Sequence, residues 1–221
     1  WELLGGRVRD RIKVYAWIHG HEPGHCAEDA LRRLEEEFRA IKFTPFEGAG
    51  LGYSIAHGRR AEARVRAVRD AVGEEVDLAI DGHGVLNPVN AVEMARRIEP
   101  YGILFYEEPV LPENIDALAE VRRATSIPIA TGERVFTKWG FREILEKKAA
   151  SILQPDVCYA GGITELRLIA GMAEAYYVPL APHNPQGPCS LAASCQIAAS
   201  IPNFMIQEGG ARSYESLLKV P

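Results

Sequence analysis

Six residues able to hold a metal or move a proton recur along this chain at nearly even intervals. They are Asp81, Glu107, Glu133, Asp156, His183 and Glu208, and successive members stand 26, 26, 23, 27 and 25 residues apart. Each closes a short apolar run. One such residue at a strand end is more often a structural ion pair or a loop cap; six in register call for a common cause. The interval is that of one strand–helix unit. All six are therefore placed at one height, at the carboxyl ends of parallel strands, where barrel enzymes keep their chemistry.

Asp81, Glu107 and Glu133 come from three consecutive units. Carboxylates gathered that closely raise one another's pKa unless a cation sits among them. An all-oxygen ligand set suits magnesium, which keeps positions for water or substrate oxygens. Manganese is the alternative, and zinc fits less well without nitrogen or sulfur donors. Asp156 and His183 end successive strands, so the carboxylate can hold one imidazole nitrogen and turn the other inward, as in a general-base dyad. His83, two residues past Asp81, brings a second imidazole to the same region. Two imidazoles on opposite sides of a metal site point to one base and one acid.

The elements that must carry these residues alternate strand and helix. Strands are expected at 11–18, 39–43, 76–81, 103–107, 127–132, 151–156, 178–183 and 203–208. Between them, Ala91, Met94, Ala95 and Ile98 form a helical stripe, and so do Leu166, Ile169, Ala170 and Ala173. Asn87-Pro88 reads as a helix cap followed by a first-turn proline. The charge run from Arg32 to Glu37 reads as a solvated helix face. Eight regular units without a nucleotide fingerprint favour an α/β barrel over an open sheet. Gly48, Gly50 and Gly52 are spaced wrongly for a dinucleotide-binding turn and read as a loop.

Composition sets the remaining bounds. The 221 residues are 47% hydrophobic and 25% charged, with a net charge of −5. That balance gives no reason to expect nucleic acid or an anionic membrane as partner, and no apolar run is long enough to span a bilayer. Cys26, Cys158, Cys189 and Cys195 have no metal or disulfide spacing, which fits reduced thiols in the cytoplasm. Residues 1–10 are expected to be a linker from a preceding domain, 11–210 the barrel, and 211–221 the start of a C-terminal extension.

The chain resembles the mandelate racemase subgroup of the enolase superfamily, and within it the galactonate dehydratases. The matching segments are Asp81-Gly82-His83-Gly84, Glu107-Glu108-Pro109-Val110, Gly132-Glu133-Arg134, Gln154-Pro155-Asp156, Ala160-Gly161-Gly162-Ile163-Thr164-Glu165, Ala181-Pro182-His183 and Gln207-Glu208. The resemblance implies a TIM-type (β/α)7β barrel, with an N-terminal α+β capping domain that this sequence does not contain. It implies magnesium on Asp81, Glu107 and Glu133, His183 with Asp156 as base, and His83 as the acid that protonates a departing hydroxyl. Glu208 takes the place of the residue that hydrogen-bonds the substrate carboxylate. The subgroup's racemases carry Lys-x-Lys on the second strand; here it is Lys42-Phe43-Thr44. Lys42 remains to help neutralise the bound carboxylate, while Thr44 removes the second base. Dehydration of a sugar acid, such as galactonate or gluconate, to a 2-keto-3-deoxy acid through an ene-diolate is therefore expected. Epimerisation, dehydration of a diacid sugar, or a non-catalytic sugar-acid-binding relic are the rivals. A homo-oligomer is expected.

Three further groups are assigned lesser roles. His19, His21 and His25 with Cys26 read as a solvated loop rather than a second metal site. Glu108 must point away from Glu107 on a strand and reads as structural. Gly161-Gly162 before Thr164 reads as a loop closing onto a helix cap rather than a phosphate site.

Overall fold

The computed structural model describes residues 1–46 and 52–209. Gly48 and Gly50 of the glycine cluster and the extension at 211–221 lie outside the described residues. The elements alternate as the periodicity predicts: β1 (Val14–Trp17), α1 (Pro23–Glu35), β2 (Ala40–Phe43), α2 (Ile55–Val72), β3 (Asp77–Asp81), α3 (Pro88–Ile98), β4 (Ile103–Glu107) and α4 (Ile115–Arg123). Then follow β5 (Ile129–Thr131), α5 (Thr137–Glu146), β6 (Ile152–Leu153), α6 (Ile163–Ala175), α7 (Pro188–Ser200) and β7 (Gln207–Glu208). Pairings between these strands are parallel, in the hydrogen-bonded order β6-β5-β4-β3-β2-β1-β7. Among the described residues no helix is long and apolar enough to cross a membrane.

The chain divides into two compact units. One comprises Ala16–Ala130 with Lys147–Ala150. Its strands bury side chains on both faces, as parallel strands under helices must: Ile41, Leu78, Ile80, Phe105, Tyr106 and Ile129 are essentially inaccessible. The α3 stripe of Ala91, Met94, Ala95 and Ile98 is fully buried. Asn87 caps that helix, its side chain accepting the Asn90 N–H at 2.9 Å, with Pro88 in the first turn. Helix α2 opens on a reciprocal cap between Ser54 and His57. The register of β3 on β4 pairs Asp81 with Glu107, so two of the predicted carboxylates emerge side by side.

The other unit comprises Trp1–Tyr15, Thr131–Glu146 and the described residues from Ser151 onward. Here β7 pairs with Val14 and Tyr15, and the Gln154 N–H donates to Thr131 O at 2.8 Å. The α6 stripe of Leu166, Ile169, Ala170 and Ala173 is buried as expected. The strand expected at 178–183 is reduced to parallel bridges from Leu180 to Leu153 and to Phe204. Pro179 and Pro182 explain the reduction, because neither has an N–H for a ladder. Their carbonyls still accept, Pro179 O from Leu153 at 3.0 Å and Pro182 O from Glu208 at 3.2 Å. The strand expected at 203–208 narrows to the Phe204 bridge and the two residues of β7.

Arg69 joins the end of α2 to the starts of β3 and β4. Its guanidinium donates to Tyr101 O at 2.8 Å, Gly102 O at 3.0 Å, Gly73 O at 2.6 Å and Val76 O at 2.8 Å. Burial holds that guanidinium below its ordinary pKa. Removing the donor strips four carbonyls of one shared partner. Arg69→Met is expected to cost about 2–3 kcal/mol and to lower the melting temperature by roughly 4–10 °C. Thermal unfolding followed by circular dichroism measures this, and an unchanged midpoint would mean that water serves those carbonyls as well as arginine does.

Candidate active site

In the unit built on β1–β5, three charged side chains meet without solvent. Lys42 Nζ lies 2.5 Å from Glu107 Oε2 and 3.5 Å from Asp81 Oδ2, and all three side chains are 0% exposed. A buried ammonium is tolerated only where anions replace its hydration, and two carboxylates do so here. His83 is held on Asp81 twice: its N–H donates to Oδ1 at 2.8 Å, and its Nε2 stands 3.2 Å from Oδ2. The imidazole is 42% exposed. Trp17, paired in register with Lys42 across β1 and β2, stacks on the His83 ring at 5.9 Å between centroids and 7° between planes. Lys42 Nζ lies 4.7 Å from the centroid of the same indole.

Local backbone geometry explains the residues around Asp81 and Glu107. A Cβ on Gly82 would stand 2.5 Å from Glu108 O and 3.0 Å from Glu107 O, so no larger residue fits after Asp81 without separating the two strand ends. The Gly82 and Gly84 N–H groups donate to Glu107 O and Glu108 O, each at 2.8 Å. His83 and Glu108 have φ of 46° and 34°, left-handed values that glycine adopts more easily. Strain of this kind persists where the surrounding contacts over-determine it.

The other unit carries the second imidazole. His183 Nδ1 lies 2.9 Å from Asp156 Oδ2, and Asp156 Oδ1 accepts the N–H groups of Cys158 at 2.7 Å and Tyr159 at 3.3 Å. With both oxygens engaged, Asp156 is fixed in rotation and fixes the ring in turn. In the neutral tautomer, Nδ1–H donates to Asp156 and Nε2 keeps its lone pair. That Nε2 lies 3.3 Å from Glu133 Oε2 and 3.8 Å from Glu208 Oε2. Glu208 Oε2 accepts the Asn184 N–H at 2.7 Å, and Asn184 Oδ1 accepts the Ser190 hydroxyl. Arg134 Nε stands 3.3 Å from Glu133 Oε1. Before Glu133, Gly132 has a φ of 139°, and a Cβ there would meet the Phe141 ring at 2.8 Å and the Gln154 backbone at 3.0 Å.

The predicted residues thus fall into two sets. Lys42, Asp81, His83 and Glu107 meet in one unit; Glu133, Asp156, His183 and Glu208 meet in the other. Sequence reasoning did not single out Trp17, Asn184 or Ser190. Trp17 gave a faint signal: it ends its strand beside Lys42, as the other site residues end theirs. Among the described residues, His19, His21, His25 and Cys26 do not gather as a ligand set; the Cys26 thiol donates to Gly20 O at 3.3 Å. Gly161 and Gly162, both at positive φ, close the loop onto α6, with Gly162 at its N-cap.

The enolase C-terminal domain-like family matches this chain over residues 25–219. A D-galactonate dehydratase of Variovorax paradoxus (strain S110) is 44% identical over 208 residues, which is 94% of this chain and 54% of that protein. A mandelate racemase/muconate lactonizing enzyme-like protein from Roseovarius sp. TM1035 superposes with a TM-score of 0.93 at 37% identity, covering 99% of this chain and 59% of that one. A member of the enolase superfamily from Salmonella Typhimurium gives 0.91 at 34% identity, over 95% of this chain and 58% of its own. This chain therefore spans little more than half the length of these relatives. Over that span it has the parallel α/β barrel fold that the strand–helix alternation implied. The chain belongs to the enolase C-terminal domain-like family.

Proposed function

We propose that the protein dehydrates a sugar acid, an aldonate of the galactonate or gluconate type, to a 2-keto-3-deoxy acid in a magnesium-dependent reaction. The observation that carries this reading is the His183–Asp156 pair, 2.9 Å apart, with the second imidazole nitrogen directed toward carboxylates. The name of the Variovorax relative supports the substrate class. The Lys42-Phe43-Thr44 stretch argues against a two-base racemase, since Thr44 cannot remove a proton as lysine does.

The donor chemistry fits a hard divalent cation. Asp81 and Glu107 are paired in register and buried beside a single ammonium, and Glu133 adds a third carboxylate at the end of the next strand. We assign all three to magnesium, with manganese as the alternative. When bound, the cation supplies positive charge that stabilises the anion developing on the substrate carboxylate. The chain's own residues do the rest. Lys42 adds countercharge beside Asp81 and Glu107. Glu208, held by the Asn184 N–H, faces the substrate carboxylate. His183 Nε2 takes the proton from C2, and the C–H electron pair moves toward the carboxyl group as an ene-diolate. As those electrons return to form the C2–C3 double bond, the C3–O bond breaks. His83 gives its proton to the departing hydroxyl, which leaves as water. The resulting enol tautomerises to the 2-keto-3-deoxy acid.

The direct test is to incubate the full-length protein and magnesium with a panel of aldonic and aldaric acids and to assay 2-keto-3-deoxy acid. Turnover of one or a few aldonates is expected, abolished by EDTA and lowered about 10²–10⁴-fold in His183→Asn. Exchange of the C2 proton in deuterated solvent without any keto acid would sink the dehydratase assignment and keep the ene-diolate. A second expectation concerns charge. In EDTA, Lys42→Met should be less stable by about 3–5 kcal/mol, because two buried carboxylates lose their ammonium. Magnesium should then raise the variant's melting temperature more than the wild type's, since tighter binding to the folded state stabilises it further. Equal magnesium shifts in the two proteins would separate Lys42 from the metal carboxylates.

A further inference from the structure

We propose that Trp17 is a positioning residue for His83, holding the imidazole face to face so that its acidic edge meets the departing hydroxyl. This rests on the reading of His83 as the acid. The need for such a device comes from how the two imidazoles are held. His183 is nearly buried and gripped through Nδ1 by a carboxylate that is itself fixed by two backbone N–H groups. His83 is 42% exposed, and its side chain contacts Asp81 through Nε2 alone. That contact leaves the ring free to rotate about the nitrogen–oxygen direction, and an acid that rotates is out of line for most of the time.

The indole removes this freedom. With 7° between planes and 5.9 Å between centroids, the two rings stack in parallel, an arrangement that fixes ring tilt as a single hydrogen bond cannot. Trp17 is itself placed firmly. It is the last residue of β1, in register with Lys42, and Lys42 Nζ lies 4.7 Å from its ring centroid. His19 stacks on the same indole at 6.3 Å and 10°. The contact with Lys42 raises a second route of action, through the lysine. The geometry argues against it: Lys42 is seated by two buried carboxylates, at 2.5 and 3.5 Å. Two ionic contacts in a dry environment outweigh one cation–π contact. Loss of the indole therefore leaves Lys42 in place and releases His83.

The consequence is a split between the two halves of the reaction. Removal of the C2 proton belongs to His183, and departure of the hydroxyl belongs to His83. A variant that releases only His83 should keep the first and lose the second, whereas a general loosening of the fold lowers both.

The test uses the full-length protein with magnesium and D-galactonate in deuterated water, following both C2 exchange and keto-acid formation for Trp17→Leu, Trp17→Phe and wild type. Histidine-labelled protein is studied alongside by NMR, with His83→Asn identifying the His83 signals. Wild-type His83 ring protons are expected upfield, under the indole ring current, and the shift should vanish in Trp17→Leu. In that variant keto-acid formation should fall about 10–10²-fold while exchange continues at the wild-type rate. Trp17→Phe, which restores an aromatic face, should recover most of the loss. Unshifted His83 signals overturn the proposal, as do equal losses of exchange and product, or a phenylalanine no better than leucine. If wild-type protein neither exchanges nor dehydrates D-galactonate, the substrate reading fails, and the ring-current shift still decides whether Trp17 holds His83.

Discussion

A lysine buried between two carboxylates is the constraint on which much of the local structure depends. Lys42, Asp81 and Glu107 are all without solvent, and charges so placed are tolerable only in mutual contact. That contact dictates the register of β2, β3 and β4, because a slip of one residue would turn each charge to the opposite face. It also dictates the residues just beyond the strand ends. Gly82 is required where the chain passes within van der Waals distance of the Glu107 and Glu108 carbonyls, and Glu108 accepts a left-handed backbone so that its carbonyl can meet Gly84. The apolar residues beneath, Leu78, Ile80, Phe105 and Tyr106, make the strands rigid enough to hold charges in so narrow a place.

The unit containing His183 solves the same problem with hydrogen bonds instead of a buried cation. Each carboxylate there has a neutral or cationic donor: Asp156 takes two backbone N–H groups and an imidazole, Glu208 takes the Asn184 N–H, and Glu133 stands beside Arg134. The support extends outward. Ser190 donates to Asn184, and Ser194 donates to Gln207, whose side-chain amide donates to Pro182 O at 3.0 Å. The small polar residues of α7 thus brace the ends of two strands that have few ladder bonds of their own. Prolines weaken this part of the sheet, and side-chain hydrogen bonds restore the precision that the ladder cannot supply.

How far the sequence could be read depended on how local the cause was. β4 was legible to the residue and β3 nearly so, since their apolar runs are unbroken and end on a charge. The helix stripes and the Asn87 cap were legible because they depend on neighbours three or four positions away. The strand at 178–183 was over-read: its apolar run invited it, while the two prolines decide whether a ladder can form. Asp81, Glu107, Glu133, Asp156, His183 and Glu208 were singled out as candidates by one rule, a polar residue where a buried strand should be apolar. His83 was singled out by its place beside Asp81, and Lys42 by family resemblance. Trp17 escaped because an aromatic residue at a strand end resembles ordinary core. Its meaning lies in two partners, Lys42 and His83, that are distant in sequence and meet it only in the fold. Asn184 and Ser190 escaped for the same reason: a short polar side chain in a loop or first helical turn is usually solvated.

The two imidazoles differ in support in a way that suits the roles proposed for them. A base that abstracts a carbon-bound proton must present one lone pair in one direction, and a buried carboxylate at 2.9 Å enforces both the tautomer and the direction. An acid that releases water has the opposite need. It must surrender its proton, and each anionic contact added to the ring would help retain the charge it is meant to lose. Stacking against Trp17 adds orientation to the contact that His83 Nε2 makes with Asp81 at 3.2 Å, and it brings no further countercharge. Partial exposure, at 42% for His83 against 11% for His183, leaves a path by which solvent can restore the proton. His83 is thus oriented by stacking on Trp17 together with its contact to Asp81, and His183 by its pair with Asp156, an arrangement that suits the roles of acid and base proposed for them.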